Sequence, residues 1–225
     1  MQVELIQPGS YCAAKIFLKS GELVRAQSDA MVATTSAIEV EGKAEGGIGG
    51  MFKRMFTGES LFMQTLKATS GDGEVIVAPG EPGDITVIEL NGDGYILQKG
   101  AFLAADPGVE LSATSQGVMK GLFSGEGFFL QTAKGKGTLL ISSFGGIVKK
   151  TLSPGENWIV DNGHLVAWSD TIQYSMRKAS KGIISSLTSG EGLVCDVQGP
   201  GDVYIQTRNP SSFGQWVRQF IPVSK

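Results

Sequence analysis

The chain has 225 residues, 41% hydrophobic and 18% charged, with a formal net charge of -3. That balance excludes an intrinsically disordered chain and gives no global electrostatic pull on nucleic acid or anionic lipid. Thirty-two glycines punctuate short apolar runs with no collagen period, which predicts many turns between short strands.

In chain order, the start Met1-Gln2-Val3-Glu4-Leu5 has no basic region followed by an apolar stretch, so no secretory leader is expected. No run approaches the ~20 apolar residues of a membrane span. The expected location is cytoplasmic, with peripheral membrane contact as the variant. Gly21-Glu22-Leu23-Val24 reads as a turn entering a strand. The run Gly46-Gly47-Ile48-Gly49-Gly50 then leads into Met51-Phe52-Lys53-Arg54-Met55-Phe56. Ile48, Met51, Phe52, Met55 and Phe56 have the i, i+3, i+4, i+7, i+8 spacing of a helical face, with Lys53 and Arg54 on the other side. A short helix near 48–56 is therefore predicted. It either caps its module or packs at a subunit interface, or it offers a membrane-surface or protein-binding patch.

Phe56-Thr57-Gly58-Glu59-Ser60-Leu61 recurs as Phe123-Ser124-Gly125-Glu126-Gly127-Phe128 and as Thr188-Ser189-Gly190-Glu191-Gly192-Leu193, with the Gly-Glu pairs 67 and then 65 residues apart. After each copy comes a glycine pair: Gly71-Asp72-Gly73, Gly135-Lys136-Gly137 and Gly199-Pro200-Gly201. Each pair precedes an apolar run, as in a hairpin. Before each copy stands a turn-to-strand signal, at Gly21, Gly100 and Gly155. Three landmarks in one order, three times, predict three diverged β modules over 1–84, 85–146 and 147–225. Each module alone would bury little apolar area, so the three are expected to dock as one body. The fold class is all-β, three tandem β-sandwich modules.

The search for chemistry finds turn residues. His164 follows Asp161-Asn162-Gly163 in what reads as a hairpin turn. No Cys-x-x-Cys, His-Glu-x-x-His or Gly-x-Ser-x-Gly pattern occurs, and no metal, cofactor or catalytic residue is expected. Cys12 and Cys195 read as two buried thiols in preference to a disulfide. Glu59, Glu126 and Glu191 recur once per module and read as turn carboxylates accepting backbone N–H bonds; the alternative is a ring of carboxylates that binds a cation or a basic partner. The aromatic-rich Phe213-Gly214-Gln215-Trp216-Val217-Arg218-Gln219-Phe220-Ile221 reads as a packing strap over the third module or a contact to a neighbouring subunit.

The glycine run, Met51-Phe52-Lys53-Arg54-Met55, Phe56-Thr57-Gly58-Glu59-Ser60-Leu61-Phe62 and the late Gln206-Thr207-Arg208-Asn209 resemble the Altered Inheritance of Mitochondria protein 24 family, over nearly the whole chain. With no evident mitochondrial presequence, the chain looks similar to the prokaryotic members. The resemblance implies a fold like that of the tryptophan RNA-binding attenuation protein, a compact β-sandwich related to the double-stranded β-helix. It also implies a homotrimer, a ring of nine modules, and a scaffold role, since mitochondrial members are linked to inner-membrane organisation. The expectation is a non-enzymatic structural or interaction protein, acting at a membrane surface through residues 48–56. The alternative is a ring that binds a small ligand or RNA, although the acidic balance disfavours nucleic acid. The last is an enzyme built on Glu59, His164 and Asp161.

Overall fold

The computed structural model describes residues 1–43, 63–114, 130–179 and 193–222. In chain order the strands are β1 (Gln2–Ile6), β2 (Ala13–Leu18), β3 (Leu23–Gln27), β4 (Met31–Thr34), β5 (Ile38–Lys43), β6 (Met63–Ala68), β7 (Gly73–Val77), β8 (Ile85–Gln98), β9 (Phe102–Ala105), β10 (Val109–Thr114), β11 (Leu130–Ser142), β12 (Ile147–Leu152), β13 (Asn157–Asp161), β14 (Leu165–Ser169), β15 (Gln173–Lys178), β16 (Leu193–Gln198) and β17 (Gly201–Gln206). One helix, α1 (Pro210–Arg218), follows. The protein is all-β, with several antiparallel sheets. The helix expected near 48–56 lies outside the described residues.

Strand formation follows from alternation. In β2, Ala14, Ile16 and Leu18 are buried while Lys15 and Phe17 face outward, the period of two that a half-buried strand requires. In β11 the alternation stops, and Thr138 to Ser142 is buried throughout because this strand runs through the middle of the molecule with partners on both sides.

One pairing scheme occurs three times. β7 lies between β2 and β4, and β6 between β3 and β5. β17 lies between β12 and β14, and β16 between β13 and β15. In the middle unit two long strands serve both layers. The end of β11 sits between the start of β8 and β9, and its start between the end of β8 and β10. The same irregularity recurs where β4, β9 and β14 meet their partners: the register shifts between Met31 and Ala33, between Leu140 and Ile141, and between Leu165 and Ala167.

Two sequence expectations need correction. The glycine pairs do not make hairpins, because β6 never pairs with β7, nor β16 with β17. They are corners at which one strand leaves one layer and enters the other. Gly71 (φ 123°) and Gly201 (φ 149°) supply the left-handed backbone that such a corner needs. In the middle unit the corner shrinks to a bulge between Lys134 and Lys136. Gly100 is also not the counterpart of Gly21 and Gly155. Those two lead into β3 and β13, whereas Gly100 leads into β9, one strand later in the scheme. The middle unit's counterpart is the Gly92 irregularity inside β8.

The three apolar cores interlock. Leu140 and Leu103 join the core built on β2, β3, β6 and β7. Tyr204 and Ala167 join the middle core, and Leu130 joins the core of the last unit. The segments linking the units also bond to one another. Cys12 N–H donates to Gly83 C=O (2.9 Å), Gly145 N–H to Pro82 C=O (2.9 Å) and Thr207 N–H to Gly146 C=O (2.9 Å). Asp84 ties this row together, accepting from Gly9 and Ile85 N–H at 2.9 Å and from Ile147 N–H at 3.3 Å. Gly83 and Gly145 form a parallel bridge in which a Cβ on Gly83 would stand 1.8 Å from the Ser143 carbonyl oxygen. That contact is backbone against backbone, with no side chain to yield. Gly83→Ala is therefore expected to cost at least ~2 kcal/mol of stability, read as a lower urea midpoint with a strand signal that still melts.

Candidate functional site

Each unit joins the next by one strand pair. At the first junction β3 pairs with β9, Arg25 opposite Ala105 and Ala26 opposite Ala104. At the second, the end of β8 pairs with β14, Ile96 opposite Trp168 and Leu97 opposite Ala167. The two registers superpose, because Ala104 and Ala167 hold the same place in the scheme and each faces the strand of the preceding unit. Both are 0% exposed. Side-chain chemistry reinforces each joint differently. Across the first, one Arg25 guanidinium nitrogen donates to the Pro107 and Val109 carbonyls at 2.9 and 2.6 Å. Across the second, Tyr95 donates to Asp202 at 3.3 Å, and Asp202 also receives Thr151 (2.6 Å) and Lys149 (2.9 Å). Burial raises the affinity of the Asp202 carboxylate for a proton, but the Thr151 and Lys149 hydrogen bonds outweigh it and hold the group below its usual range.

At the two ends of this array the same strands are left open. β4 of the first unit corresponds to β9 and β14, yet among the described residues it pairs only with β7. β13 of the last unit corresponds to β3 and the end of β8, yet among the described residues it pairs only with β16. The side chains register the difference. Val32, at the bulge of β4, is 63% exposed, while its counterparts Leu103 and Val166 are 0% and 2%. On β13, Trp158 is 41% exposed and its counterparts Val24 and Tyr95 are buried; Ile159 beside it is 52% exposed. Ala33, the counterpart of Ala104 and Ala167, is likewise exposed. These two edges are the candidate interaction site: an apolar strand at each end, shaped like the two halves of one joint.

Of the residues singled out from sequence, Ile48, Met51, Phe52, Lys53, Arg54, Met55 and Phe56 lie outside the described residues, as do Glu59, Glu126 and Glu191. The turn role assigned to those glutamates is visible at two other Gly-Glu pairs. Glu22 accepts from Lys19 N–H at 2.9 Å, and Glu156 accepts from Ser153 N–H at 3.0 Å. Asp161 and His164 do not lie in a hairpin. Asp161 accepts from Gly163 N–H (2.9 Å) and opens a single 3-10 turn, Asn162–His164, that carries the chain from one layer to the other. The His164 Nδ1–H donates to the Gln206 carbonyl (2.7 Å), so both side chains are engaged in holding the corner. Among the described residues, no group of three His, Cys, Asp or Glu is placed to hold a metal. A cleft of about 440 Å³ beside β2 is lined by Lys19, Glu22, Asp72 and Glu74, and its lysine is already paired with Asp72 at 2.8 Å.

Cys12 and Cys195 are free and buried. Burial, with Asp196 adding to it, pushes the Cys195 thiol up to about 12, and burial also raises Cys12. Iodoacetamide at neutral pH should leave both thiols unmodified in the folded protein and label both in denaturant. Because the folded state favours the neutral thiol, Cys195 should subtract stability as pH rises above 9.0, the ordinary thiol value, and continue to do so towards 12.

The C-terminal aromatic segment is not a strap. Its residues 213–218 lie in helix α1, which has no buried residue, residues 219–221 form the turn after it, and the Phe213 ring packs against Phe144. Asn209 followed by Pro210 was the sequence signal for it, a capping residue with proline at the first helical position. No helix among the described residues is long and apolar enough to cross a membrane.

Comparison with known proteins agrees on kinship. The family model described as mitochondrial biogenesis AIM24 matches residues 3–208. An uncharacterised protein of Streptococcus pyogenes serotype M6 is 34% identical over 228 residues, covering 100% of this chain and 89% of that protein. A Streptococcus pyogenes protein solved by X-ray crystallography is 33% identical, with a TM-score of 0.80 over 98% of this chain and 99% of that one.

Proposed function

The chain belongs to the mitochondrial biogenesis AIM24 family, and from that premise we propose that it is a non-enzymatic scaffold whose activity is assembly into a closed ring of identical chains. The observation that carries this reading is the pair of unfinished joints. Residues that are sealed at both internal junctions, Leu103 with Val166 and Val24 with Tyr95, have their counterparts Val32 and Trp158 open at the two ends. An apolar open edge is a template for further strand pairing. Here each edge has its complement at the other end of the same molecule, so the contact is head-to-tail and closes when the rotation allows.

A joint between copies that repeats the internal registers has the following pairs. Val160 of one chain falls opposite Ala33 of the next, and Ile159 opposite Thr34. Three copies, nine units, is the closure that the family resemblance implies. The ring is then the functional object, a rigid platform for a protein partner or a membrane surface. Light scattering on the size-exclusion peak tests the assembly. The expected mass is three times that of one chain at micromolar concentration, and a clean single-chain mass would discard the reading.

A further inference from the structure

Helix α1 and the turn after it carry an exposed row of aromatic residues. Phe213, Trp216 and Val217 lie on one side of α1 at i, i+3, i+4 spacing, and Phe220 and Ile221 follow in the turn after it. Their rings lean on one another. Phe213 meets Phe144 at 5.2 Å, Trp216 meets Phe213 at 5.8 Å, and Phe220 stands edge-on to Trp216 at 5.1 Å. Among the described rings, the first is the one paired with a ring of the sandwich. Exposure climbs along the row, from 44% at Phe213 to 55% at Trp216 and 67% at Phe220, with Ile221 at 58%. The apolar stripe therefore points away from the β body.

Charge separates the candidate occupants. From Val203 to the end, the sequence carries Arg208, Arg218 and Lys225 and no Asp or Glu, in a chain with 22 acidic and 19 basic residues. Another copy of this chain is a poor match, because both internal junctions form without any such helix. A surface that is apolar beneath and anionic on top matches both features, and that is the headgroup boundary of a bilayer containing acidic lipid. Tryptophan and phenylalanine beside arginine are the side chains that settle there.

We infer that α1 and the turn after it form an interfacial anchor, laying Trp216, Phe220 and Ile221 into the headgroup region of an anionic bilayer with Arg208 and Arg218 at the lipid phosphates. One helix of this length binds weakly. The strength of attachment rests on the ring reading, since cyclic symmetry places every copy of α1 on the same side and makes the later contacts intramolecular.

Vesicle sedimentation with the full chain tests this. The wild type should pellet with vesicles of mixed phosphatidylglycerol and phosphatidylcholine, bind pure phosphatidylcholine far less, and release as salt is raised. Phe220→Glu should lower the partition coefficient roughly tenfold or more while leaving the light-scattering mass unchanged. Equal pelleting of variant and wild type would overturn the anchor. So would a Phe220→Glu variant that loses mass but keeps its lipid binding, which would put a neighbouring copy on α1. Loss of binding in Phe52→Asp with Phe220→Glu unaffected would also overturn it, by moving the contact to residues 48–56. A single-chain wild type that still shows weak, Phe220-dependent binding would remove the ring and support the anchor.

Discussion

Val32→Asp is expected to convert the proposed ring to single chains. In one copy alone the substitution is harmless, because Val32 is 63% exposed. In the proposed ring it would take the environment of Leu103 and Val166, which are 0% and 2% exposed at the internal joints. A carboxylate sealed there without a partner costs several kcal/mol. At about 3 kcal/mol per joint the dissociation constant rises more than a hundredfold, and every joint of a cyclic assembly carries the change. Light scattering should report the single-chain mass for Val32→Asp, and circular dichroism should keep its strand signal. A Val32→Asp protein that keeps the wild-type mass would mean that β4 is not at the interface.

The second large effect is internal. Trp168 is 0% exposed and packs edge-on against Tyr174 at 4.9 Å. It lies in the core of the last unit, while its backbone position pairs with Ile96 of the middle one. Trp168→Ala removes a large buried ring from a site whose strands cannot close up. The expected loss is about 3–5 kcal/mol, a fall in melting temperature of roughly 10 °C for a protein of this size. Trp216→Ala, on the exposed ladder of α1, should change stability by less than about 1 kcal/mol. Urea melts of the two variants check the contrast.

The repeat was legible because turn glycines are local. Gly71, Gly135 and Gly199 mark places where the backbone must bend, whatever lies on either side. What those bends connect was not legible. A corner and a hairpin use the same residues, and they differ only in which distant strand each arm pairs with. Gly100 was aligned one strand off for the same reason, since the middle unit runs straight through Gly92 inside one long strand and hides its first bend there. Asn209-Pro210 announces helix α1, but the aromatic residues after it also suit a strand.

The edges were the least visible feature. Val32 and Trp158 look like ordinary strand residues in the sequence. Their meaning comes from comparison with Leu103, Val166, Val24 and Tyr95, and that comparison needs the strand pairing. Ala33, Ala104 and Ala167 are the same residue at the same place in all three units, but strand registers, not sequence spacing, align them. The segments singled out first, residues 48–56 and the three glutamates, fall outside the described residues.

Cross-linking tests the head-to-tail joint most directly. In a chain carrying both Thr34→Cys and Ile159→Cys, the two thiols of successive copies would face each other across the proposed antiparallel strand pair, at a Cα separation of about 4.5–5.5 Å that a disulfide can span. Cys12 and Cys195 are buried and should stay reduced. Mild oxidation should give covalent two-chain and three-chain species on a non-reducing gel, and either single substitution alone should give none. A double variant that stays entirely as single chains, at concentrations where the wild type is assembled, would contradict the joint and the ring built on it.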